Sequence, residues 1–393
     1  MNSSKFNLAR VFVPITTVVI SLFASGLVIA QEELAGAPQW TPELSMKFRR
    51  IQGTAISADA SHVAYIVNTP LMDGEQSEFE TQVWVVTADG SRNLQYTRGE
   101  FSATAPALSP NGEFLSFISK RGNGENEKSQ IWIMPLFGGE ARQLTAVENN
   151  VSSYRWSPEG DRIAFSMQDP LSEERQQEID EKRDVILVDQ QPRYRHLHVV
   201  GVDSDSAEPI DTVQITSGEM VVGNFNWSPA GDEIAFAYKP KADLNEANLF
   251  GDISVVTVPS AAQLQEVTQQ QEEESDSESL QIIGEVRPLL RGYGVENNPH
   301  WSPDGNWVAY TSSGSEPNLI SMNDVYVIPA SGGDSRRLAE TPNRDASIIG
   351  WSKDSDELIL SELMGTHRAV IGLPLRGNSI RTLTPDQGVI GNV

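Results

Sequence analysis

One pentapeptide recurs along this chain, and any fold assigned to it must accommodate that repeat. Trp156-Ser157-Pro158-Glu159-Gly160, Trp227-Ser228-Pro229-Ala230-Gly231 and Trp301-Ser302-Pro303-Asp304-Gly305 are near copies, and Leu108-Ser109-Pro110-Asn111-Gly112 replaces tryptophan by leucine. Two degenerate copies flank them, Ile56-Ser57-Ala58-Asp59-Ala60 and Trp351-Ser352-Lys353-Asp354-Ser355. The six serines lie 52, 48, 71, 74 and 50 residues apart. Self-similarity at such a period marks a repeat architecture, in which each unit buries its apolar face against the next.

The chemistry of the pentapeptide is that of a hairpin turn. Proline presets φ for the first turn position, and glycine takes the left-handed conformation that returns the chain. A short apolar strand follows each turn: Val63-Ala64-Tyr65-Ile66, Phe114-Leu115-Ser116-Phe117, Ile163-Ala164-Phe165-Ser166, Ile234-Ala235-Phe236, Val308-Ala309-Tyr310 and Leu358-Ile359-Leu360. Third strands read as β-branched runs, such as Val83-Trp84-Val85-Val86 and Ile131-Trp132-Ile133-Met134. A fourth strand enters after glycine turns, at Gly138-Gly139 and Gly332-Gly333.

Four strands per repeat with little helical periodicity predict an all-β fold, a β-propeller of six four-stranded blades, either complete or an incomplete seven-bladed ring. The blades are expected to start near residues 53, 105, 153, 224, 298 and 348 of a propeller spanning 53–393. The long spacings mark two insertions. Leu171 to Glu178 is charged and reads as a surface helix or loop. The Gln/Glu/Ser/Asp tract within 262–281 reads as a disordered excursion, since it offers no apolar surface to bury.

Residues 1–30 read as an export signal: Lys5 and Arg10, an apolar run from Val11 to Ile29, and a mature start near Gln31 after a lead-in that occupies 31–52. The run is also about the ~20 residues a membrane anchor needs, although Pro14 and Gly26 weaken that reading. On either reading the remainder is expected outside the cytoplasm, in the periplasm or the medium. The chain has no cysteine, so neither disulfides nor an N-terminal cysteine lipid anchor are available to it. A formal charge of −25 repels phosphate backbones and anionic lipid, which excludes nucleic acid as a natural partner.

No catalytic, cofactor-binding or metal-binding residue is assigned. The G-x-S-x-G elbow of a serine hydrolase is absent, and the repeated turn serines are expected to satisfy local backbone groups. Of His62, His196, His198, His300 and His367, only His196 and His198 share a strand face in the manner of a metal pair, and packing explains them more simply. Asp304 and Glu159 are turn residues, outside the order of a calcium loop. Glu173-Glu174 could hold a substrate amine at the propeller mouth, against the plainer reading of a solvated loop. The tryptophans are expected in the core rather than in a ligand cage.

At the level of these residues the chain resembles the propeller region of the prolyl oligopeptidase family of serine peptidases, in particular secreted dipeptidyl and acylaminoacyl peptidases. The repeated W-S-P-D-G cores are shared with TolB-like exported propellers. Thr41-Pro42-Glu43-Leu44 before the first core, Pro192-Arg193-Tyr194-Arg195-His196-Leu197 and the insertion at 171–178 favour the peptidases. The resemblance implies an α/β-hydrolase domain as partner, with the propeller capping its triad and admitting short peptides. It also implies a ring whose first and last blades share no strand. None of the triad positions has a counterpart here, so this portion is expected to be non-catalytic. The alternative is a free-standing interaction protein of the cell envelope.

Overall fold

The computed structural model describes residues 40–73, 76–121, 128–183, 185, 193–203, 206–242, 249–273, 284–292, 294–314 and 322–384. The export signal predicted over 1–30 lies outside them. The chain divides into two units, Met1–Phe48 and Arg49–Val393. In the first, Pro42–Ser45 forms a single helical turn, α1, capped by Thr41, whose Oγ1 accepts from Leu44 N at 3.1 Å. Trp40 and Phe48 stack with ring centroids 4.9 Å apart.

The second unit is a succession of antiparallel meanders, each built by one sequence repeat. The first holds β1 (Arg50–Ile56), β2 (His62–Asp73), β3 (Gln76–Thr87) and β4 (Asn93–Gln95). The next holds β5 (Ala103–Leu108), β6 (Phe114–Ser119), β7 (Gln130–Pro135) and β8 (Arg142–Gln143). Then come β9 (Val151–Trp156), β10 (Arg162–Gln168), β11 (Arg195–Gly201) and β12 (Val213–Gln214). They are followed by β13 (Val221–Trp227), β14 (Glu233–Lys239), β15 (Asp252–Thr257) and β16 (Val286–Leu290). The last two are β17 (Glu296–Trp301), β18 (Trp307–Ser312), β19 (Asp324–Pro329), β20 (Arg336–Arg337), and β21 (Ser347–Trp351), β22 (Glu357–Met364), β23 (His367–Pro374), β24 (Arg381–Thr382).

The expectation of six separate four-stranded blades needs correction. Among the described residues there are four four-stranded sheets and one eight-stranded sheet, which carries β9 to β16. Two meanders merge there because Arg195 N donates to Met220 O at 3.1 Å and Arg195 pairs in parallel with Val221. Weaker clasps of the same kind, Gly251 with Val295 and Asn323 with Asp345, stay isolated bridges.

Alternation along the strands divides each meander into two apolar faces. Ile163, Phe165 and Met167 of β10 pack toward the preceding meander with Phe114, Ile131 and Ile133. Ala164 faces the following one, against Val222 and Phe236. Five such clusters join consecutive meanders, and each fully buried large side chain contributes roughly 1.5–3 kcal/mol. Among the described residues no apolar cluster joins the first sheet to the last, and neither sheet borrows a strand from the other.

The first strands approach one another in sequence, β1 to β5, β5 to β9, β13 to β17 and β17 to β21, so they line the common axis. Each pairing of a first with a second strand carries a register break. Bulges re-aim side chains locally. Here they put Gly53, Ala105 and Asn298 at φ 52°, 49° and 55°.

Both insertions are helical where described. α2 (Glu173–Asp180) is N-capped by Ser172, whose Oγ accepts from Arg175 N at 3.3 Å. α3 (Ala261–Glu273) replaces the first part of the excursion expected to be disordered, because Leu264 and Val267 fall on one face and pack beside Val213 and Ile215. The tract from 274 to 281 lies outside the described residues.

Candidate functional site

The turn serines are committed to the turns. Ser157 Oγ donates to Asp161 at 2.7 Å and accepts from Arg162 N at 3.1 Å. Ser302 repeats this with Asp304 and Trp307 N, and Ser228 with Asp232 and Glu233 N. A nucleophile must also present its oxygen to a substrate, and Ser157, Ser228 and Ser302 are buried, with their hydroxyls tied to a turn carboxylate and a turn N–H. Ser61 Oγ does meet His62 Nδ1 at 2.7 Å, but Asp59 binds the serine and not the imidazole, so no triad order results. Asp59 is held well below the usual carboxylate range by the Ser57 hydroxyl, then by the Ser61 N–H and hydroxyl.

The tryptophans join neighbouring meanders. Trp156 Nε1 donates to Ser116 Oγ at 2.8 Å, Trp227 Nε1 to Arg155 O at 3.1 Å, and Trp351 Nε1 to His300 O at 3.1 Å. Trp227 also lies under the Arg162 guanidinium, 5.3 Å from its ring centroid. No aromatic cage forms from them.

His196 and His198 sit on β11, both buried. His196 lies 3.4 Å from Asp169 and 3.3 Å from Thr216 Oγ1, while His198 stacks on Phe165 with centroids 5.3 Å apart. Burial, then the neighbouring His196, pushes the His198 imidazole down to about 4. His367 opens β23 opposite Met364. No group of three or more His, Cys, Asp or Glu side chains among the described residues is placed to hold a metal.

The end of the meanders opposite the turns carries α2 and two cavities, whereas α3 starts at the turn end, where Val258 N donates to Asp232 O at 2.8 Å. The larger, about 860 Å³, lies beside α2 and is lined by Glu173, Gln176 and Asp180 with Lys128, Glu148 and Arg193. Glu173 thus reaches a concavity, as the amine-binding idea required. Glu174 does not line it, and both carboxylates are exposed among neighbours of either sign. The smaller, about 330 Å³, is lined by Arg195, Val221, Tyr238, Lys239, Val295 and Glu296. Glu296 Oε1 accepts from Ser312 Oγ at 3.2 Å and Oε2 has no partner. Burial, with the charge of Asp252 adding to it, lifts this carboxyl to about 7.

The axis has its own chemistry, which no motif announced. The first strands offer it neutral polar side chains, among them Thr54, Thr104, Ser153, Asn224 and Asn297, all exposed. Their charged residues are Arg50 at the start of β1, the buried Glu296, and Arg155 in the body of β9. Arg155 is exposed, yet enclosure by protein lowers its pKa, and no carboxylate among the described residues pairs with it. Its charge reaches His300 on β17: burial, then Arg155, pushes that imidazole down to about 4. His300 Nε2 lies 3.2 Å from Asn298 Oδ1. The sequence signal was available, a lone arginine on an inner strand, but strand order alone does not say which strands face an axis.

These features define an all-β propeller, and the chain is similar to the propeller regions of several peptidases. The chain is 24% identical over 372 residues to dipeptidyl-peptidase 5 of Porphyromonas gingivalis, covering 88% of this chain and 49% of that protein. It therefore spans about half the length of the curated relative it matches. Acylaminoacyl peptidase of Pyrococcus horikoshii superposes with a TM-score of 0.58 at 14% identity, over 88% of this chain and 48% of the other. The propeller domain of the trilobed protease of Pyrococcus furiosus, described as having an open velcro topology, gives 0.55 at 13% identity over 86% and 84%. No protein-family model matches the chain.

Proposed function

We propose that this chain is the non-catalytic propeller portion of an exported serine peptidase, set beside an α/β-hydrolase domain whose active site it caps against all but short peptides. The observation that carries this is the coverage: the similarity takes in 88% of this chain but 49% of dipeptidyl-peptidase 5, while a free propeller domain is covered over 84%. The turn serines, engaged in the turns themselves, support a scaffold role. In this reading the eight-stranded sheet is two blades joined at Arg195 and Val221, which makes six blades of the six repeats. The same reading has the ring open between the first and last blades, in keeping with the lack of any apolar cluster or shared strand joining them among the described residues. Residues 1–30 would direct the product across the membrane.

The test offers the purified chain short peptide amides and a fluorophosphonate probe, alone and after co-expression with a peptidase α/β-hydrolase domain. The chain alone should neither cleave nor label, and the co-expressed domain should bind it and lose activity toward long substrates. Labelling of the chain itself would overturn the non-catalytic reading. An envelope protein co-purifying in place of any hydrolase would favour the interaction role.

A further inference from the structure

The smaller of the two cavities, about 330 Å³, opens beside the clasp of Gly251 with Val295. Its lining is apolar at Val221, Val222, Ala237 and Val295 and basic at Arg195 and Lys239. Alternation along β11 sets Arg195 on the face of Leu197 and Val199, which share a cluster with the cavity residue Val222. Alternation along β14 sets Lys239 on the face of Ala237, another cavity residue. Arg195 is half-buried, and its Nε is enclosed with no hydrogen-bond acceptor. An enclosed donor left in that state is costly, and a bound acceptor relieves the cost. The acid in the lining, Glu296, is 5% exposed. Its Oε1 accepts from Ser312 and lies so near Gly292 that a Cβ there would stand 2.3 Å away, while Oε2 is enclosed. It therefore lays no open carboxylate against the two cations.

We propose that this cavity is a binding site for a small carboxylate with an apolar body, the carboxylate anchored by Arg195 and the body laid on the valines and Ala237. A guanidinium matches the plane and spacing of a carboxylate, and such charge-assisted pairs are about twice as strong as neutral ones. Lys239, a flexible point charge, adds attraction without fixing the geometry. The volume falls at the lower end of the ~300–1,000 Å³ of small-molecule sites, which suits one residue of a peptide or a free acid of that size. The chain's charge of −25 does not decide the matter here, because distant charges are screened beyond about 10 Å at 0.1 M salt and the open charges lining the cavity are cations. Phosphate would satisfy the guanidinium and leave the apolar wall uncovered, so a carboxylate that carries a hydrocarbon group is the better match. A peptide C-terminus and a free N-acylated amino acid share this chemistry. The site goes beyond the capping role and does not depend on a hydrolase being present.

Isothermal titration of the full chain at pH 6.5 with N-acetylleucine, N-acetylleucinamide, the tripeptide Gly-Gly-Leu and inorganic phosphate tests the site. N-acetylleucine should bind saturably, and its amide at least about tenfold more weakly. Binding of Gly-Gly-Leu as well would place peptide C-termini among the ligands, and its failure to bind would restrict the site to free acids; either agrees with a carboxylate anchor. Arg195→Gln should weaken N-acetylleucine by at least about tenfold and Lys239→Gln by a smaller factor. Arg193→Gln removes the same charge two residues away, in the lining of the larger cavity, and should leave the affinity as it is. Equal affinity for the acid and its amide, which needs no variant to observe, would overturn the proposal. So would undiminished binding in Arg195→Gln, an equal loss in Arg193→Gln, phosphate binding in place of N-acetylleucine, or no binding at millimolar concentrations of the acid.

Discussion

Ala60 holds φ at 57°, in the place where four other repeats put Gly112, Gly160, Gly231 and Gly305 at 72° to 76°. A side chain in that region costs roughly 1 kcal/mol relative to glycine. Ala60→Gly should therefore stabilise the protein by about 0.5–1 kcal/mol, and Gly305→Ala should destabilise it by a similar amount, both read from urea midpoints. A Gly305 Cβ meets nothing closer than 3.9 Å, so the effect there isolates the backbone. Titration sets a second residue-scale expectation. His198 and His300 fall from an ordinary 6.5 to about 4, so their contribution to stability is full above pH 6.5 and is lost as pH drops toward 4. Each is worth on the order of 3 kcal/mol at most. Glu296 opposes them: raised from 4.5 to about 7, it contributes fully below pH 4.5 and that contribution is lost as pH rises through 7. Urea midpoints at pH 7.5 and 4.5 should thus converge in His198→Phe, which keeps the stack on Phe165 without a proton to gain, and diverge in Glu296→Gln.

At the scale of elements, α3 shows how a polar stretch earns order through a few contacts. Leu264 is 4% exposed and sits in the cluster formed by Val213, Ile215 and Val258. Leu264→Ala should cost about 2–3 kcal/mol, and Gln265→Ala, on an exposed position, almost nothing. If chemical unfolding gives equal midpoints for the two, the helix does not depend on this seam. The strands carry a comparable lesson in their joins. A single parallel pair, Arg195 with Val221, turns two meanders into one sheet, and the same approach at Gly251 and Val295 leaves two sheets separate.

The whole molecule is read most directly at the position before each turn serine. Leu108, Trp156, Trp227 and Trp301 are all less than 10% exposed, packed against neighbouring meanders, whereas Ile56 is 66% exposed. Among the described residues Ile56 belongs to none of the buried clusters that join meanders. Trp227→Ala should accordingly cost about 3–5 kcal/mol, and Ile56→Ala within about 0.5 kcal/mol, when both are measured by chemical unfolding. Near-equal losses would mean that the last meander closes on the first.

Much of this was legible before any coordinates. The turn at each Ser-Pro-x-Gly core, the strand after it and the exclusive engagement of the serines all follow from local chemistry: fixed φ at proline, freedom at glycine, and a hydroxyl placed five residues from an N–H. The helix at 173–180 was left open between helix and loop, and α3 was missed, because Gln- and Glu-rich composition hides two apolar residues whose value exists only against β11 and β12. The axial arginine was missed for a related reason. Sequence by itself determined the repeat, the turns and the alternation, since each depends on residues within one hairpin. Which strands face the axis and where two meanders fuse depend on contacts between different repeats, such as Arg195 with Val221, and those only packing could decide.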